Sequence, residues 1–198
     1  MIKTYAMLID ELQEYKNPKT KIQRMVRNKE LYSITKGLYE TNPFVNPFYL
    51  ANPILFPSYI SFETALSYYG LIPEKVFTIK SATYNMRKKK QFDTSFGLYT
   101  YQDIPKEVYG YGVSMFFDDG YVYQMATKEK ALLDLIYTMP KISNMKEMRE
   151  LLFEDLRINE MGIDMLDIGM ISELYPLYHS CNVALFERML RGGKLHAK

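Results

Sequence analysis

The chain has 198 residues, 47% of them hydrophobic, and a formal net charge of only +2. That length allows one or two domains with a packed core, and the charge excludes a chain that is a polycation throughout. Eighteen Tyr and eleven Phe with no Trp argue against disorder and point to core and sheet packing ahead of base-stacking surfaces.

The charge is unevenly spread. Residues 1–41 hold eight Lys/Arg against five Asp/Glu, a basic front end on a near-neutral body, as a small nucleic-acid-binding unit would have. The single cysteine, Cys181, excludes an internal disulfide and fits a reducing cytoplasm. Acidic residues interrupt the apolar start MIKTYAMLIDELQEY, so it reads as an amphipathic helix and not as a signal peptide. No uninterrupted apolar run approaches the length of a membrane span.

Tyr5, Leu8, Ile9 and Leu12 recur at helical spacing over Lys3–Glu14. Asn17 then reads as an N-cap and Pro18 as the first residue of a helix to about Lys29, with Ile22, Met25 and Val26 on its apolar stripe. Lys21, Arg24 and Asn28 fall on another side, with Arg27 close by. Leu31–Thr41 reads as a short β-ribbon turned at Gly37, of the kind that follows a recognition helix. Residues 42–57 carry Pro43, Pro47, Pro53 and Pro57 among apolar residues. They read as a connector with little regular structure, packed on a second domain, with the boundary near 42–46.

Ser58 and Ser61 are candidate caps for an amphipathic helix that stops at Gly70. Val76–Ala82 and Phe96–Tyr101 read as paired strands, with the polar stretch Tyr84–Thr94 as the loop between them. Gly112–Phe117 and Tyr121–Met125 form a hairpin turned by Asp118-Asp119-Gly120. The remainder reads as helical. Thr127 caps an amphipathic helix ending before Pro140, and Ser143 or Asn144 opens a helix to about Asp155. Two more run from about Asp164 to Tyr175 and from about Leu177 to Leu190, the last stopped by Gly192-Gly193.

Catalytic signatures are lacking. His179, Cys181 and His196 do not have metal-ligand spacing, and no phosphate loop or nucleophile elbow occurs. Cys181 reads as a small half-buried thiol on a helix. Asp118-Asp119 with Glu107 is the one conceivable acid pair, but Asp-Gly chemistry already accounts for Asp119 as a turn residue. Glu129 reads as a helix-dipole partner and Asp134 as a structural salt-bridge residue. The dense cluster Arg87, Lys88, Lys89 and Lys90 is either a solvated hairpin tip or a phosphate-contacting loop. No metal or cofactor is expected, and the chain reads as non-enzymatic.

Three segments, in order, carry a resemblance: TKGLYET at Thr35–Thr41, ISFETALSYYGLIPE at Ile60–Glu74 and ATKEKALLDLIY at Ala126–Tyr137. Together they resemble the AbiEi-type antitoxins, the regulator half of bacterial abortive-infection toxin–antitoxin pairs. Lys128 stands where the family pattern has proline, a change a helix start accepts.

The resemblance implies a winged helix over 1–42 that represses its own promoter. It implies an antitoxin domain over 43–198 that neutralises a nucleotidyltransferase toxin, generally without stable association. It places Lys19, Lys21, Arg24, Arg27 and Asn28 toward DNA, with Lys36 at a flanking phosphate. One departure stands out: the residues before the ribbon suffice for two helices, whereas a full winged helix has three. The expected fold is α+β: a small, trimmed winged helix, then a larger domain of antiparallel strands with a helical C-terminal part. The alternative is a winged-helix regulator whose large domain senses a ligand or partner and has no antitoxin activity.

Overall fold

A computed structural model describes residues 1–118, 120–158 and 160–192. Asp119, Gly193 and His196, singled out above, lie outside the described residues.

Among the described residues the architecture is α+β with two sheets. The chain begins with β1 (Ile2–Thr4), α1 (Tyr5–Glu11), α2 (Pro18–Arg27), β2 (Tyr32–Thr35) and β3 (Leu38–Glu40). β3 pairs antiparallel with both β1 and β2, giving the order β1-β3-β2. The single helix expected over Lys3–Glu14 is therefore corrected. Lys3 and Thr4 are strand residues that pair with Tyr39 and Leu38, and the Thr4 hydroxyl accepts from Met7 N at 3.2 Å to start the helix after it. A helical period within the segment carries no trace of that distant strand partner. At α2 the expectation holds: Asn17 Oδ1 accepts from Thr20 N at 3.2 Å and Pro18 takes the first turn. Gly37 turns the ribbon at φ +82°, in the left-handed region that favours glycine.

This small unit has its own core of Leu8, Ile22 and Leu31, with Met25, Val26 and Tyr39 packed on it. Alternation along the ribbon sends Ile34 and Leu38 the opposite way, into the large core. Tyr32 meets Phe96 edge to face, and Ser95 Oγ donates to Ser33 O at 3.3 Å. At the same seam lies Glu40, fully buried, which accepts from Thr41 N at 2.8 Å, Asn42 N at 2.9 Å and Tyr121 OH at 3.0 Å, and from the Met1 amine. Burial raises its carboxyl pKa, but these hydrogen bonds outweigh that and hold it below the usual value.

The larger part begins with α3 (Phe48–Ile54), where little regular structure was expected. Pro47 stands just before the helix, where a missing donor is harmless, and Pro53 falls in its last turn. Burial of Tyr49, Leu50 and Ala51 between them holds the helix. β4 (Tyr59–Ile60), α4 (Phe62–Tyr68), β5 (Ile79–Thr83), β6 (Lys90–Thr94) and β7 (Gly97–Asp103) follow, then β8 (Val113–Asp118), β9 (Tyr121–Ala126) and α5 (Lys128–Thr138). The strands form one sheet in the order β6-β7-β5-β4-β9-β8.

That sheet is mixed, which corrects the all-antiparallel expectation. β5 runs parallel to β7, and β4 parallel to β9. The hairpin partner of β7 is β6, so Lys90 is a strand residue and only Arg87, Lys88 and Lys89 lie in the connection. The β8–β9 hairpin matches expectation. Because β4 and β9 are parallel neighbours, the helices that follow them, α4 and α5, start side by side.

Behind α5 lie α6 (Met145–Arg149), which runs into a wider turn over Glu150–Asp155, then α7 (Glu160–Asp164), α8 (Ile168–Leu174) and α9 (Cys181–Arg191). Asn144 caps α6 as expected. The two last predicted helices are corrected. α8 starts at Ile168, capped by Asp167, and not near Asp164, and a 3₁₀ turn at Tyr175–Tyr178 precedes Ser180, the cap of α9. Cys181 is exposed at the first turn of α9, and His179 lies before that helix at φ +48°. The expected half-buried thiol is corrected with the register of the helix.

Tyrosine fills the large core. Tyr99 and Tyr101 are buried on the α3 face of the sheet, donating to Pro47 O at 2.9 Å and Ala51 O at 2.6 Å. Burial pushes the phenols of Tyr59, Tyr99, Tyr101 and Tyr178 above their usual range, and those of Tyr109 and Tyr123 up to about 12. Unfolded tyrosine loses its proton near pH 10, so above that pH the folded state holds the extra protons and stability falls as pH rises. Each phenol kept protonated by the fold removes about 1.4 kcal/mol per pH unit in that window. Absorbance at 295 nm is expected to show these phenols titrating together with unfolding, and phenols titrating independently of the loss of circular dichroism would contradict it.

Candidate functional site

The outward side of α2 is the first candidate. Ile22 is buried against Leu8 and Leu31, which fixes the helix's rotation. At 3.6 residues per turn, Thr20, Gln23, Arg24 and Arg27 fall on the side away from Ile22, and all are exposed, as is Lys19 at the edge nearer Ile22. Arg24 and Arg27 lie in the last turn, where cations suit the helix dipole. Lys36, on the ribbon turn, is also exposed. Lys21 is half-buried, its ammonium 5.4 Å from the centre of the Tyr15 ring, and the Asn28 amide donates to Glu30 at 3.1 Å. The structure thus groups Arg24 and Arg27 on one face, with Lys19 exposed beyond its edge, while Lys21 and Asn28 have local partners. Thr20 and Gln23 share that face and, being neutral, carry no charge signal in the sequence. Their helical positions relative to Ile22 were the available signal.

The second candidate is the run Arg87–Lys90. It is exposed but not a loose tip. The Asp103 carboxylate, at the end of β7, accepts from Met86 N at 2.9 Å and Arg87 N at 2.8 Å. Asn85 and Arg87 both take left-handed backbone, at φ +59° and +62°. That conformation costs energy outside glycine and persists where surroundings impose it. The cations are carried on a tethered segment.

The two segments 60–74 and 126–137 meet in the interior at Asp134. Tyr59 OH and Ser61 Oγ donate to its Oδ2 at 2.9 and 2.7 Å. Tyr178 OH donates to Oδ1 at 2.6 Å, and the Lys130 ammonium pairs with the same oxygen. Lys130 also donates to Tyr178 OH at 2.9 Å, and its ammonium lies 5.3 Å from the Tyr59 ring centre and 5.0 Å from that of Tyr178. Lys130 and Asp134 are both fully buried. Burial pulls the Lys130 pKa below its ordinary value, with Asp134 opposing. α5 is buried from Glu129 to Ile136, so the amphipathic reading of this helix is corrected to a central one. Ser61 opens α4 without a side-chain cap bond because its hydroxyl is committed to Asp134, and Ser58 donates to Leu55 O at 2.6 Å instead of capping. Glu129 accepts from Asp167 N at 3.0 Å, tying α5 to the start of α8.

Gly112 sits over this pair at φ +65°, and a Cβ there would come within 3.0 Å of Lys130 Cβ and 3.4 Å of Leu174 Cδ1. Gly112→Ala is expected to destabilise the protein by about 1–3 kcal/mol through strain and overpacking. Urea unfolding would measure it, and an unchanged midpoint would refute it.

The acid pair does not assemble among the described residues. Asp118 ends β8 and accepts from Tyr49 OH, whereas Glu107 lies in the 3₁₀ turn Lys106–Val108, before the other end of that strand. No group of three or more His, Cys, Asp or Glu with metal-binding proximity occurs among the described residues. Nor is any helix among them long and apolar enough to cross a membrane. No protein-family model matches the chain, and no curated protein matches it.

Proposed function

We propose that this chain is a non-enzymatic cytoplasmic antitoxin of the AbiEi type that also represses its own promoter. The exposed basic face of α2 is the observation that carries the DNA-binding half. The order β1-α1-α2-β2-β3, with strands arranged β1-β3-β2, supports a trimmed winged helix with α2 as its reading helix. Lys19, Arg24, Arg27 and Lys36 would contact phosphates, and Thr20 and Gln23 base edges in the major groove. The antitoxin half rests on the three resembling segments, two of which join at Ser61 and Asp134.

The test is to find whether a nucleotidyltransferase reading frame lies beside this gene and to co-express its product with this chain. Restored growth is expected, together with retarded migration of the operon promoter by the purified protein. Promoter binding without rescue would favour a regulator that senses a ligand or partner. Rescue without promoter binding would remove the repressor role.

A further inference from the structure

β8 is an end strand of the large sheet, and among the described residues it pairs only with β9. Thr127 N donates to Gly112 O at 2.8 Å, so the residue just before β8 turns its backbone toward β9. The direction of N–H and C=O alternates along a strand, so Ser114 and Phe116 also turn inward. Val113, Met115 and Phe117 therefore aim their N–H and C=O groups out from the sheet. Gln124, the register partner of Met115, fixes the same phase, because its N–H bonds Asn52 Oδ1 on α3 at 3.4 Å and not β8. The side chains alternate with the backbone. Phe116 stacks on Tyr123 on the α3 face, whereas Met115 and Phe117 lie on the opposite face, 53% and 76% exposed. Val122, the register partner of Phe117, is 47% exposed beside them.

The two end strands differ. β6 carries Lys90 and Asp93, and the turn after it is fastened to β2 through Ser95 with Ser33 and Phe96 with Tyr32. Charge and cover of this kind keep an edge from pairing. Val113–Phe117 has neither a charge nor a proline, and its pattern is self-complementary. Two antiparallel β8 strands related by a two-fold axis through Met115 set Met115 opposite its own copy and Val113 opposite the copy's Phe117. Every outward N–H and C=O of these three residues then finds a partner. On the exposed face, Phe117 and Met115 continue the apolar strip from Val122 across the axis. Asp118 falls opposite the copy's Gly112, so no like charges meet. We infer that two copies of this chain join through β8, antiparallel and centred on Met115, into one continuous sheet. The interface goes beyond the promoter-binding reading and uses none of its residues.

Sedimentation equilibrium of the full-length protein at micromolar to near-millimolar concentration tests it, with a reversible exchange between one chain and two as the expected result. Met115→Lys sets two ammonium groups opposite each other and is expected to weaken the dimer at least about tenfold. The side chain is exposed in the single chain, so circular dichroism should stay native. The same change at Phe77, an equally apolar residue 81% exposed elsewhere, is expected to leave the equilibrium unchanged. A cysteine pair reads the register. Hydrogen-bonded antiparallel partners have Cα atoms about 5.5 Å apart, within reach of a disulfide. With Cys181→Ser as background, Met115→Cys is expected to cross-link two chains on oxidation and Ser114→Cys is not. A single chain at every concentration would overturn the inference and leave the edge to a strand from a different protein. A dimer as strong in Met115→Lys as in the parent chain, or cross-linking at position 114 in place of 115, would overturn it as well.

Discussion

Asp134→Ala is expected to destabilise the fold by about 3–5 kcal/mol, the cost of breaking a buried ion pair from one side. The substitution leaves the Lys130 ammonium without its counter-charge in the interior, and it strips Tyr59, Ser61 and Tyr178 of their common acceptor. Lys130→Met is expected to cost less. In that variant the carboxylate keeps three hydroxyl donors, and methionine fills most of the vacated space. Removal of the two residues together should be far from additive, because each is the other's ion-pair partner. Urea unfolding of the two single variants and the double variant measures this, with the slope checked for constancy. Equal losses for the two single variants would mean that packing around α5, not the carboxylate, holds this region.

The hub also explains what could be read in advance and what could not. Asn17, Gly37, Thr127 and Asn144 were legible because a cap or a tight turn is decided within about four residues of chain. Asp134 was legible as a salt-bridge residue because Lys130 lies one helical turn before it. Its other partners come from Tyr59, Ser61 and Tyr178, and no local pattern announces them. Strand direction was illegible for the same reason: alternation marks β5 and β7 as strands but does not distinguish parallel from antiparallel pairing. α3 was hidden by its prolines, since burial of Tyr49, Leu50 and Ala51 overrides the composition of the segment. In the candidate site, the charges of α2 were visible, but its neutral face residues and the tethering of residues 85–87 by Asp103 needed three dimensions. Two of the three segments that resemble the AbiEi family meet in the buried core, so that part of the likeness reports on how α4 and α5 are joined more directly than on any surface that meets a partner.

Reversal of charge at Arg24 and Arg27 is expected to abolish promoter binding and leave toxin rescue intact. Both guanidinium groups are exposed on the last turn of α2, so the double Glu variant exchanges their favourable dipole interaction, about 0.3–1 kcal/mol each, for an unfavourable one of similar size, a cost the fold tolerates. The small core of Leu8, Ile22 and Leu31 is untouched. On duplex DNA the change replaces two attractive phosphate contacts by repulsive ones. The milder pair Arg24→Gln/Arg27→Gln gives the quantitative reading: if each arginine neutralises one phosphate, the slope of log K against log salt becomes shallower by about 1.8. A control DNA of unrelated sequence should lose affinity with the same change in slope, because phosphate contacts carry no sequence information. An unchanged slope would remove α2 from the interface. Loss of rescue in a variant that retains its native circular dichroism would show instead that this helix serves neutralisation as well, and the division of labour between residues 1–42 and 43–198 would have to be abandoned.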